Sequence, residues 1–297
     1  MSAPGVPLIY NPRSGGGRGE RRMEAARGLL RARGVATRPV PTIAPGDATR
    51  LAEEQARHGA TRILVVGGDG TCSEVAEGIL RSGKPVEMGP LPGGTGNDFL
   101  LSLGVRTLEE AAARIARGEP RLLDAGMARW EAGQSRGFLG VFGTGFMAKV
   151  CDLANRRYKW AGARSYSLAV FPEVARLASP ATRLVLDGRD ESGPYALVAV
   201  CNVSRMGGGM LIAPDASPED GLFDVIALRQ VGRARLLRLF PLLFSGRHVG
   251  RPEVLVARAR KVEIAPAEPS PLLGDGEVYG RTPVEVELLP RALRVLA

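Results

Sequence analysis

The sequence predicts two domains, an α/β domain with a largely parallel sheet followed by a mostly β domain. Three observations lead to this prediction. Up to Asp124, apolar runs alternate with helix-like segments, and glycine clusters stand where the runs end. After Asp124 the pattern changes to short β-rich runs. The chain has 297 residues, which is longer than the roughly 100–200 residues of a typical single domain.

The first domain should consist of strand–helix units. Val6 to Tyr10 and Arg62 to Val66 are apolar runs typical of buried parallel strands. The segments with helical spacing of apolar residues are Gly19 to Arg33, Ala48 to Arg57, Cys72 to Arg81 and Leu108 to Arg117. The last of these ends in Gly118-Glu119-Pro120, a sequence that stops a helix. We therefore place the boundary between Arg121 and Gly126, which gives domains of residues 1–124 and 125–297, and leave open whether the last residues return to the first domain.

The second domain should be mostly β, with two helical insertions at Ala148 to Leu177 and at Gly232 to Phe244. The strand-like runs are rich in β-branched and apolar residues. They are Ala181 to Leu186, Tyr195 to Asn202, Leu222 to Ala227, Glu253 to Ile264 and Val284 to Leu288. The sequence contains no internal repeat and no low-complexity tract.

Composition excludes several classes of protein. With 44% hydrophobic and 24% charged residues, the chain is too apolar to be disordered. No window approaches the roughly 18 apolar residues of a membrane span, and the N-terminal residues do not resemble a secretion signal, so we expect a cytoplasmic location. The cysteines are far apart and the histidines few, which argues against disulfide and transition-metal sites: Cys72, Cys151, Cys201, His58 and His248. Any metal should be bound by oxygen, with Mg²⁺ the default.

A glycine-rich loop follows the apolar run Arg62 to Val66 and leads into a helix-like segment. Its residues are Gly67, Gly68, Asp69, Gly70 and Thr71. Glycine lets backbone N–H groups approach an anion closely, and the N-terminus of the next helix adds a favourable dipole, so the loop suits phosphate. A carboxylate there would repel phosphate unless a cation lay between them, so Asp69 indicates Mg²⁺, bound directly or through water. The alternative is a tight turn in which Asp69 only caps the helix.

Two further glycine clusters stand at strand-to-helix junctions. One begins at Asn11, and the other is Leu91-Pro92-Gly93-Gly94-Thr95-Gly96-Asn97-Asp98-Phe99. Thr95 can donate to a phosphate, while Asn97 suits helix capping and ligand contact equally well. Because ligands of open α/β sheets bind outside the carboxyl ends of the strands, we expect the three loops to share one nucleotide. The chain lacks the Gly-x-x-x-x-Gly-Lys-Ser/Thr motif, which excludes P-loop ATPases.

Carboxylates of the second domain are candidates for proton transfer and for metal binding. Gly274-Asp275-Gly276-Glu277 places two of them between glycines, where a carboxylate can project into a cleft between the domains. A carboxylate held in such a position can act as a general base toward a hydroxyl within hydrogen-bond reach. The alternative is a β-turn with a solvated Glu277. A second acidic cluster suits either Mg²⁺ or a solvated turn and comprises Asp215, Glu219, Asp220 and Asp224.

The ordered series of motifs resembles the diacylglycerol kinase superfamily over nearly the whole chain, in particular the bacterial soluble lipid kinases. The shared motifs in the second half are Gly207-Gly208-Gly209, Ala213-Pro214, Asp220-Gly221-Leu222-Phe223-Asp224, Gly274-Asp275-Gly276-Glu277 and Pro283. Two residues depart from the family pattern. Ser73 stands where asparagine is common, and Gly93 replaces a usual apolar residue, changes that concern the fit of the nucleotide.

The resemblance implies an N-terminal domain like those of NAD kinases and diacylglycerol kinases, a C-terminal lipid-binding β-sandwich and an active site in the cleft between them. It implies transfer of the γ-phosphate of Mg-ATP to a lipid hydroxyl, with diacylglycerol the first choice. Glu277 is then the general base, and Asp69 organises metal and phosphate. The implied nucleotide contacts are Asn11, Thr42, Gly67, Gly68, Asp69, Gly70, Thr71, Gly94, Thr95, Asn97 and Asp275. A structural Mg²⁺ is implied at Ser217, Asp220 and Leu222.

The expected partner besides the nucleotide is a lipid at a membrane surface. The net charge of +9 fits an acidic partner, and its dispersal argues against nucleic acid. Val231 to Arg251 and Asn155 to Trp160 combine apolar or aromatic residues with basic ones, as peripheral membrane association requires, although a helix packed on the core gives the same pattern. A homodimer is left open. The alternative functions are an NAD kinase-like enzyme and a catalytically silent, nucleotide-responsive membrane-binding regulator.

Overall fold

The structure is a computed structural model that describes residues 5–94, 96–131 and 133–297. The chain divides into two compact units. Unit 1 contains the residues up to Asp124 together with Pro290–Ala297, and unit 2 contains Ala125–Leu289.

Unit 1 is built on a parallel sheet whose strands are β1 (Val6–Tyr10), β2 (Thr37–Pro41), β3 (Arg62–Gly67) and β4 (Glu87–Pro92). The strands lie in the order β2-β1-β3-β4, and every pair is parallel. Near the end of the chain, Arg294 and Val295 add a further parallel segment beside β4. The run Ile63, Leu64, Val65 and Val66 is fully buried, as expected for a parallel strand covered on both faces.

The described residues of unit 1 form six helices beside this sheet: α1 (Ser14–Gly17), α2 (Gly19–Arg31), α3 (Asp47–Arg57), α4 (Asp69–Ser82), α5 (Asp98–Ser102) and α6 (Leu108–Arg117). Helix α2 packs against α6, and α3 packs against α4. The chain moves in one direction along the sheet from β1 to β2, and in the opposite direction from β2 to β3 and from β3 to β4. Because crossovers between parallel strands are right-handed, α2 lies on one face of the sheet and both α3 and α4 lie on the other. The predicted α/β domain with a parallel sheet is confirmed.

Unit 2 is mostly antiparallel β. Its strands are β5 (Arg121–Trp130), β6 (Gln134–Phe138), β7 (Val141–Gly145), β8 (Ala181–Leu186), β9 (Arg189–Asp190), β10 (Gly193–Cys201), β11 (Phe223–Arg229), β12 (Val254–Ala259), β13 (Lys261–Pro266), β14 (Pro271–Gly274), β15 (Glu277–Arg281) and β16 (Val284–Val295). The first residues of β5 and the last residues of β16 belong to unit 1. One layer has the order β12-β11-β10-β7-β14-β15, and every pair in it is antiparallel. The other has the order β6-β5-β16-β13-β8-β9. The predicted mostly β domain is confirmed.

Side chains from both layers meet in one apolar core. Phe142 and Phe223 come from the first layer, and Phe138 and Val262 from the second; all four are buried. The rings of Phe138 and Phe223 stack with their centroids 5.7 Å apart. Two layers that share one core in this way form a β-sandwich.

Helices fill both predicted insertions of unit 2. The first contains α7 (Phe146–Leu153), a π-helix (Ala154–Tyr158), a 3₁₀-helix (Lys159–Arg164) and α8 (Ser165–Val174); the second contains α9 (Arg233–Leu239) and a 3₁₀-helix (Phe240–Ser245). These helices pack on β10 and β11 through a second apolar cluster. In the described part of the chain, no helix has both the length and the apolarity needed to cross a membrane.

Candidate active site

The predicted nucleotide residues of unit 1 collect at one edge of the parallel sheet. Asn11 follows β1, Thr42 follows β2, and Gly67 and Gly68 stand at the end of β3. The N–H of Thr42 donates to the carbonyl of Tyr10 over 2.9 Å, which brings Thr42 beside Asn11. Since the chain leaves β1 and β3 toward opposite sides of the sheet, this edge is the topological switch point at which open α/β sheets bind ligands.

The loops after β3 and β4 touch through their backbones. The N–H of Gly93 donates to the carbonyl of Gly67 over 2.7 Å. A Cβ atom added to Gly94 would lie 2.4 Å from the Cα of Gly68, which is closer than real atoms approach. Glycine is therefore required at this position, and the edge presents backbone beside the N-terminus of α4, as phosphate binding requires. Thr95 lies outside the described residues.

Asp69 joins the same two loops through its carboxylate. One oxygen accepts the N–H of Asp98 over 3.1 Å, and the other accepts the N–H of Phe99 over 2.9 Å. Both N–H groups belong to the first turn of helix α5. Asp69, which is itself the first residue of α4, therefore caps the N-terminus of α5. Burial raises the pKa of the Asp69 carboxyl above its ordinary value, although the backbone N–H groups oppose this shift. Its role toward metal and phosphate stays a prediction.

Asn97 and Arg22 brace the loop after β4. Asn97 has a left-handed backbone, and its side-chain oxygen accepts the N–H of Gly94 over 3.0 Å. The Nη1 of Arg22 on α2 donates to the carbonyl of Gly94 over 2.7 Å, which places a positive charge at the nucleotide edge. Sequence reasoning missed Arg22. The available signal was its position in the first turn of the helix that follows the Gly15–Gly17 cluster.

In unit 2, Asp275 fixes the turn that carries Glu277. Its carboxylate accepts the N–H groups of Leu139, Gly140 and Val141 over 2.8, 2.9 and 3.0 Å. A Cβ on Gly140 would lie 2.6 Å from the Asp275 carboxylate, so only glycine allows this approach. Asp275 thus holds the turn in place, as Asp69 holds its loop, and its contact with nucleotide stays a prediction.

Glu277 lies at the start of β15 and forms an ion pair with Arg136 of β6. The Nη2 of Arg136 donates to the Glu277 carboxylate over 2.9 Å. The preceding residue, Gly276, is held from the other side by Asn155, whose Nδ2 donates to the Gly276 carbonyl over 2.9 Å. The turn that bears Glu277 is therefore anchored on two sides within unit 2, which is the rigidity that a positioned base requires.

The acidic segment around Asp220 supplies oxygen donors, but they are already engaged. One oxygen of Asp220 accepts the N–H of Leu222 over 3.1 Å, and the other pairs with the guanidinium of Arg258. Burial raises the pKa of Asp224, one oxygen of which is buried without a hydrogen-bond partner. No group of three or more His, Cys, Asp or Glu residues within the described ranges is placed to hold a metal ion. A metal at Asp220 would have to displace Arg258, and the Mg²⁺ site at Ser217, Asp220 and Leu222 stays a prediction.

Unit 2 contains a partly open apolar cavity of about 100 Å³. This volume is several times the roughly 10–15 Å³ that one water needs, so the cavity is more than a packing void. Apolar side chains such as Phe146, Leu236 and Phe240 line it, and two lining residues, Tyr166 and His248, carry polar groups. Burial lowers the pKa of the His248 imidazole, although backbone hydrogen bonds oppose this shift, and its Nε2 lies 2.9 Å from the carbonyl of Ile212.

Tyr166 connects this cavity to the turn that carries Glu277. Its hydroxyl lies 3.4 Å from the Sγ of Cys151, which in turn donates to the carbonyl of Gly276 over 3.2 Å. A Cβ on Gly276 would lie 3.2 Å from the Tyr166 hydroxyl. The apolar cavity therefore borders the turn that bears the carboxylate of Glu277.

Both units match known domain families. Residues 6–128 match the diacylglycerol kinase catalytic domain, and residues 140–297, more than half of the chain, match the YegS C-terminal NAD kinase beta sandwich-like domain. The chain belongs to the diacylglycerol kinase family. The predicted family is thereby confirmed, and with it the prediction that the chain is an enzyme, a kinase.

Relatives of this diacylglycerol kinase family member align with it over almost its whole length. A diacylglycerol kinase of Mycobacterium tuberculosis is 33% identical over 294 residues, which cover 98% of this chain and 94% of the relative. A diacylglycerol kinase of Bacillus subtilis is 28% identical over 97% of this chain and 95% of its own.

Solved structures agree with this family fold. A crystal structure of a diacylglycerol kinase from Bacillus anthracis str. Sterne has a TM-score of 0.73 at 21% identity, covering 100% of this chain and 97% of that one. A second structure from the same organism has a TM-score of 0.80 at 25% identity, covering 98% and 96%. The diacylglycerol kinase fold therefore extends over the entire chain.

Proposed function

We propose that this chain transfers the γ-phosphate of ATP to the hydroxyl of a lipid, with diacylglycerol as the acceptor and phosphatidic acid as the product. The observation that carries the proposal is the apolar cavity beside the Glu277 turn. Transfer of an acyl chain from water into such a cavity is favourable, whereas burial of the polar ribose of NAD there is unfavourable. The names of the relatives in Mycobacterium tuberculosis and Bacillus subtilis support the same acceptor.

Unit 1 supplies the nucleotide site in this proposal. The loops after β3 and β4 direct backbone at the phosphates, and the N-terminus of α4 contributes a favourable dipole. Arg22 adds positive charge at the Gly94 carbonyl. Asn11 and Thr42 lie at the same edge and contact the remainder of the nucleotide.

Unit 2 supplies the acceptor and the base. With the acyl chains in the cavity, the glycerol hydroxyl lies at the end bordered by Tyr166 and the Glu277 turn. Glu277 takes the hydroxyl proton while the alcohol oxygen bonds to the γ-phosphorus and the bond to the β,γ-bridging oxygen breaks, which releases ADP. Mg²⁺ carried by the ATP phosphates would neutralise part of the charge that collects in this step.

Label transfer from γ-labelled ATP tests the proposal. The acceptors are diacylglycerol, ceramide, sphingosine, phosphatidylglycerol and NAD, each offered separately. We expect labelled phosphatidic acid from wild type and a loss of at least 100-fold with Glu277→Gln, since a positioned base contributes about 10²–10⁴-fold. The matched control is Glu287→Gln, which removes an exposed carboxylate paired with Arg129. Labelled NAD without any labelled lipid would refute the proposal in favour of an NAD kinase.

We further propose that the helical layer of unit 2 meets an anionic membrane. Several of its large apolar side chains are exposed, led by Trp160 at 81% and Phe171 at 63%. Arg156, Arg164 and Arg238 in the same helical layer are also exposed, Arg156 in an ion pair with Asp152. Basic groups near an anionic surface contribute about 1 kcal/mol each. Helices α8 and α9 also line the cavity, through residues such as Val170 and Leu236, so a lipid would enter from the face of unit 2 that these helices form.

Sedimentation with vesicles tests this surface. We expect binding to vesicles that contain phosphatidylglycerol, weaker binding to phosphatidylcholine alone, and a severalfold loss of affinity with Phe171→Ser. Val256→Ser is the control, because Val256 is a comparably apolar exposed residue on strand β12. Equal losses in both variants would contradict the proposed surface. Vesicle binding that responds to ATP, with no phosphate transfer by wild type, would favour the regulator instead of the enzyme.

A further inference from the structure

We infer that Arg136 and Tyr279 position the carboxylate of Glu277 for proton abstraction, an inference that rests on the proposed function. Arg136 donates from Nη2 to one oxygen, Oε2, over 2.9 Å. The guanidinium carbon of Arg136 lies 4.7 Å from the ring centroid of Tyr279. The three side chains thus form a continuous stack of ring, guanidinium and carboxylate.

The strand geometry accounts for this stack. Glu277 and Tyr279 are two residues apart on β15, so both side chains leave the same face of the sheet. The ring of Tyr279 also stacks on Trp130 of β5, with centroids 5.5 Å apart. Since Trp130 is buried, the ring beneath Arg136 is itself fixed. The position of the guanidinium is therefore set by packed aromatic groups, and Glu277 is fixed through Arg136.

Glu277 needs such a fixed partner, because its side chain is 42% exposed. A half-exposed glutamate with three rotatable bonds samples many rotamers, and each unproductive rotamer lowers the fraction of encounters in which the base meets the hydroxyl. The planar guanidinium restricts that sampling through a bond to one of the two carboxylate oxygens. Arg136 holds Oε2 of Glu277, and Oε1 accepts the proton of the alcohol.

Other groups around Glu277 do not replace Arg136. Asn155 and Cys151 hold the turn through the carbonyl of Gly276, and Asp275 holds it through the backbone of β7 and the residues before it. Burial raises the pKa of Cys151 to about 11, so its thiol carries no charge near neutral pH. The backbone anchors set the position of the turn, whereas Arg136 sets the direction of the side chain.

The test compares Arg136→Met with Arg129→Met in the lipid kinase assay. Arg129 also pairs with a glutamate across the sheet, at 2.7 Å from Glu287 of β16, and neither residue belongs to the stack of Tyr279, Arg136 and Glu277. We expect Arg136→Met to lower kcat about tenfold or more with KM for ATP and for lipid within twofold, and Arg136→Lys to restore part of the loss, since lysine keeps the charge without the planar fork. Arg129→Met should leave kcat within twofold.

A double-mutant cycle separates positioning from simple loss of structure. In the Glu277→Gln background, Arg136→Met should have almost no further effect, because there is no carboxylate left to position. An additive loss, a kcat equal to that of Arg129→Met, or a kcat above wild type would each overturn the inference while leaving the proposed function in place. Absence of phosphate transfer by wild type would overturn both.

Discussion

Replacing Asp69 with asparagine should destabilise the protein and weaken nucleotide binding at once. Each oxygen of the Asp69 carboxylate accepts one N–H group at the start of α5, over 3.1 and 2.9 Å. Asparagine is neutral and has one acceptor oxygen, so one N–H group loses its acceptor and the hydrogen bond to the other is no longer charge-assisted. The two glycine loops that Asp69 joins should then separate.

The magnitude follows from two opposing effects. A hydrogen bond to a charged group contributes about 1.5–3 kcal/mol. Burial raises the pKa of Asp69, which means that the charged carboxylate is desolvated at a cost, and the neutral amide avoids that cost. We therefore expect the lower end, a loss of about 1–2 kcal/mol. At roughly 2–4 °C per kcal/mol for a chain of at least 150 residues, that loss lowers Tm by roughly 2–8 °C.

The assay combines thermal unfolding, followed by circular dichroism, with titration of ATP. The control is Glu74→Gln on the same helix, because the Glu74 carboxylate accepts the N–H groups of Gly46 and Ala48 over 3.0 and 3.2 Å at the start of α3. Both variants should lower Tm by similar amounts, and only Asp69→Asn should weaken ATP binding tenfold or more. A Tm within 1 °C of wild type would refute the capping role. Equal losses of ATP affinity in the two variants would refute the local role at the nucleotide edge.

Two further predictions concern the glycine loops and the Asp220 segment. Gly94→Ala places a Cβ 2.4 Å from the Cα of Gly68, so we expect at least a tenfold loss of ATP affinity in calorimetry. Gly28→Ala is the control and should have no effect, because the added Cβ meets no atom within 4 Å. Equal ATP affinities of the two variants would contradict the backbone packing of the loops. If Asp220 binds Mg²⁺, Arg258 competes for the same carboxylate, so Arg258→Met should tighten Mg²⁺ binding severalfold in titration calorimetry and Asp220→Asn should abolish it. Unchanged affinity in Arg258→Met would remove the support for that site.

Local patterns predicted strands β1 and β3 and helices α2, α3, α4 and α6 of unit 1. Helix α6 has the predicted bounds Leu108–Arg117, because helical spacing, a capping box at Thr107 and a terminal Gly118 all act within a few residues. Helix α4 begins at Asp69, three residues before the predicted Cys72. The first turn of α4 could not be predicted from apolar periodicity, because it contains glycine and polar residues in place of apolar side chains.

Pairing across the sheet decided what local patterns left ambiguous. The run Glu253 to Ile264 was predicted as one strand, but it forms β12 and β13, which separate at Arg260. Strand β12 pairs with β11, while β13 pairs with β8 and β16, so the two halves belong to different layers of the sandwich. A continuous β-rich run contains no sign of which layer each half will join.

The sequence by itself determined where the chemistry stands: glycine loops at the ends of parallel strands, and carboxylates between glycines in the second unit. These features depend on residue type and on spacing over a few positions, which act without the rest of the fold. Only the tertiary structure decided what the carboxylates touch. Asp69 caps a helix 30 residues away, Asp275 holds backbone 135 residues earlier, and Glu277 pairs with an arginine 141 residues before it. Such partners meet only after long loops close around a packed core, and no local pattern encodes that closure.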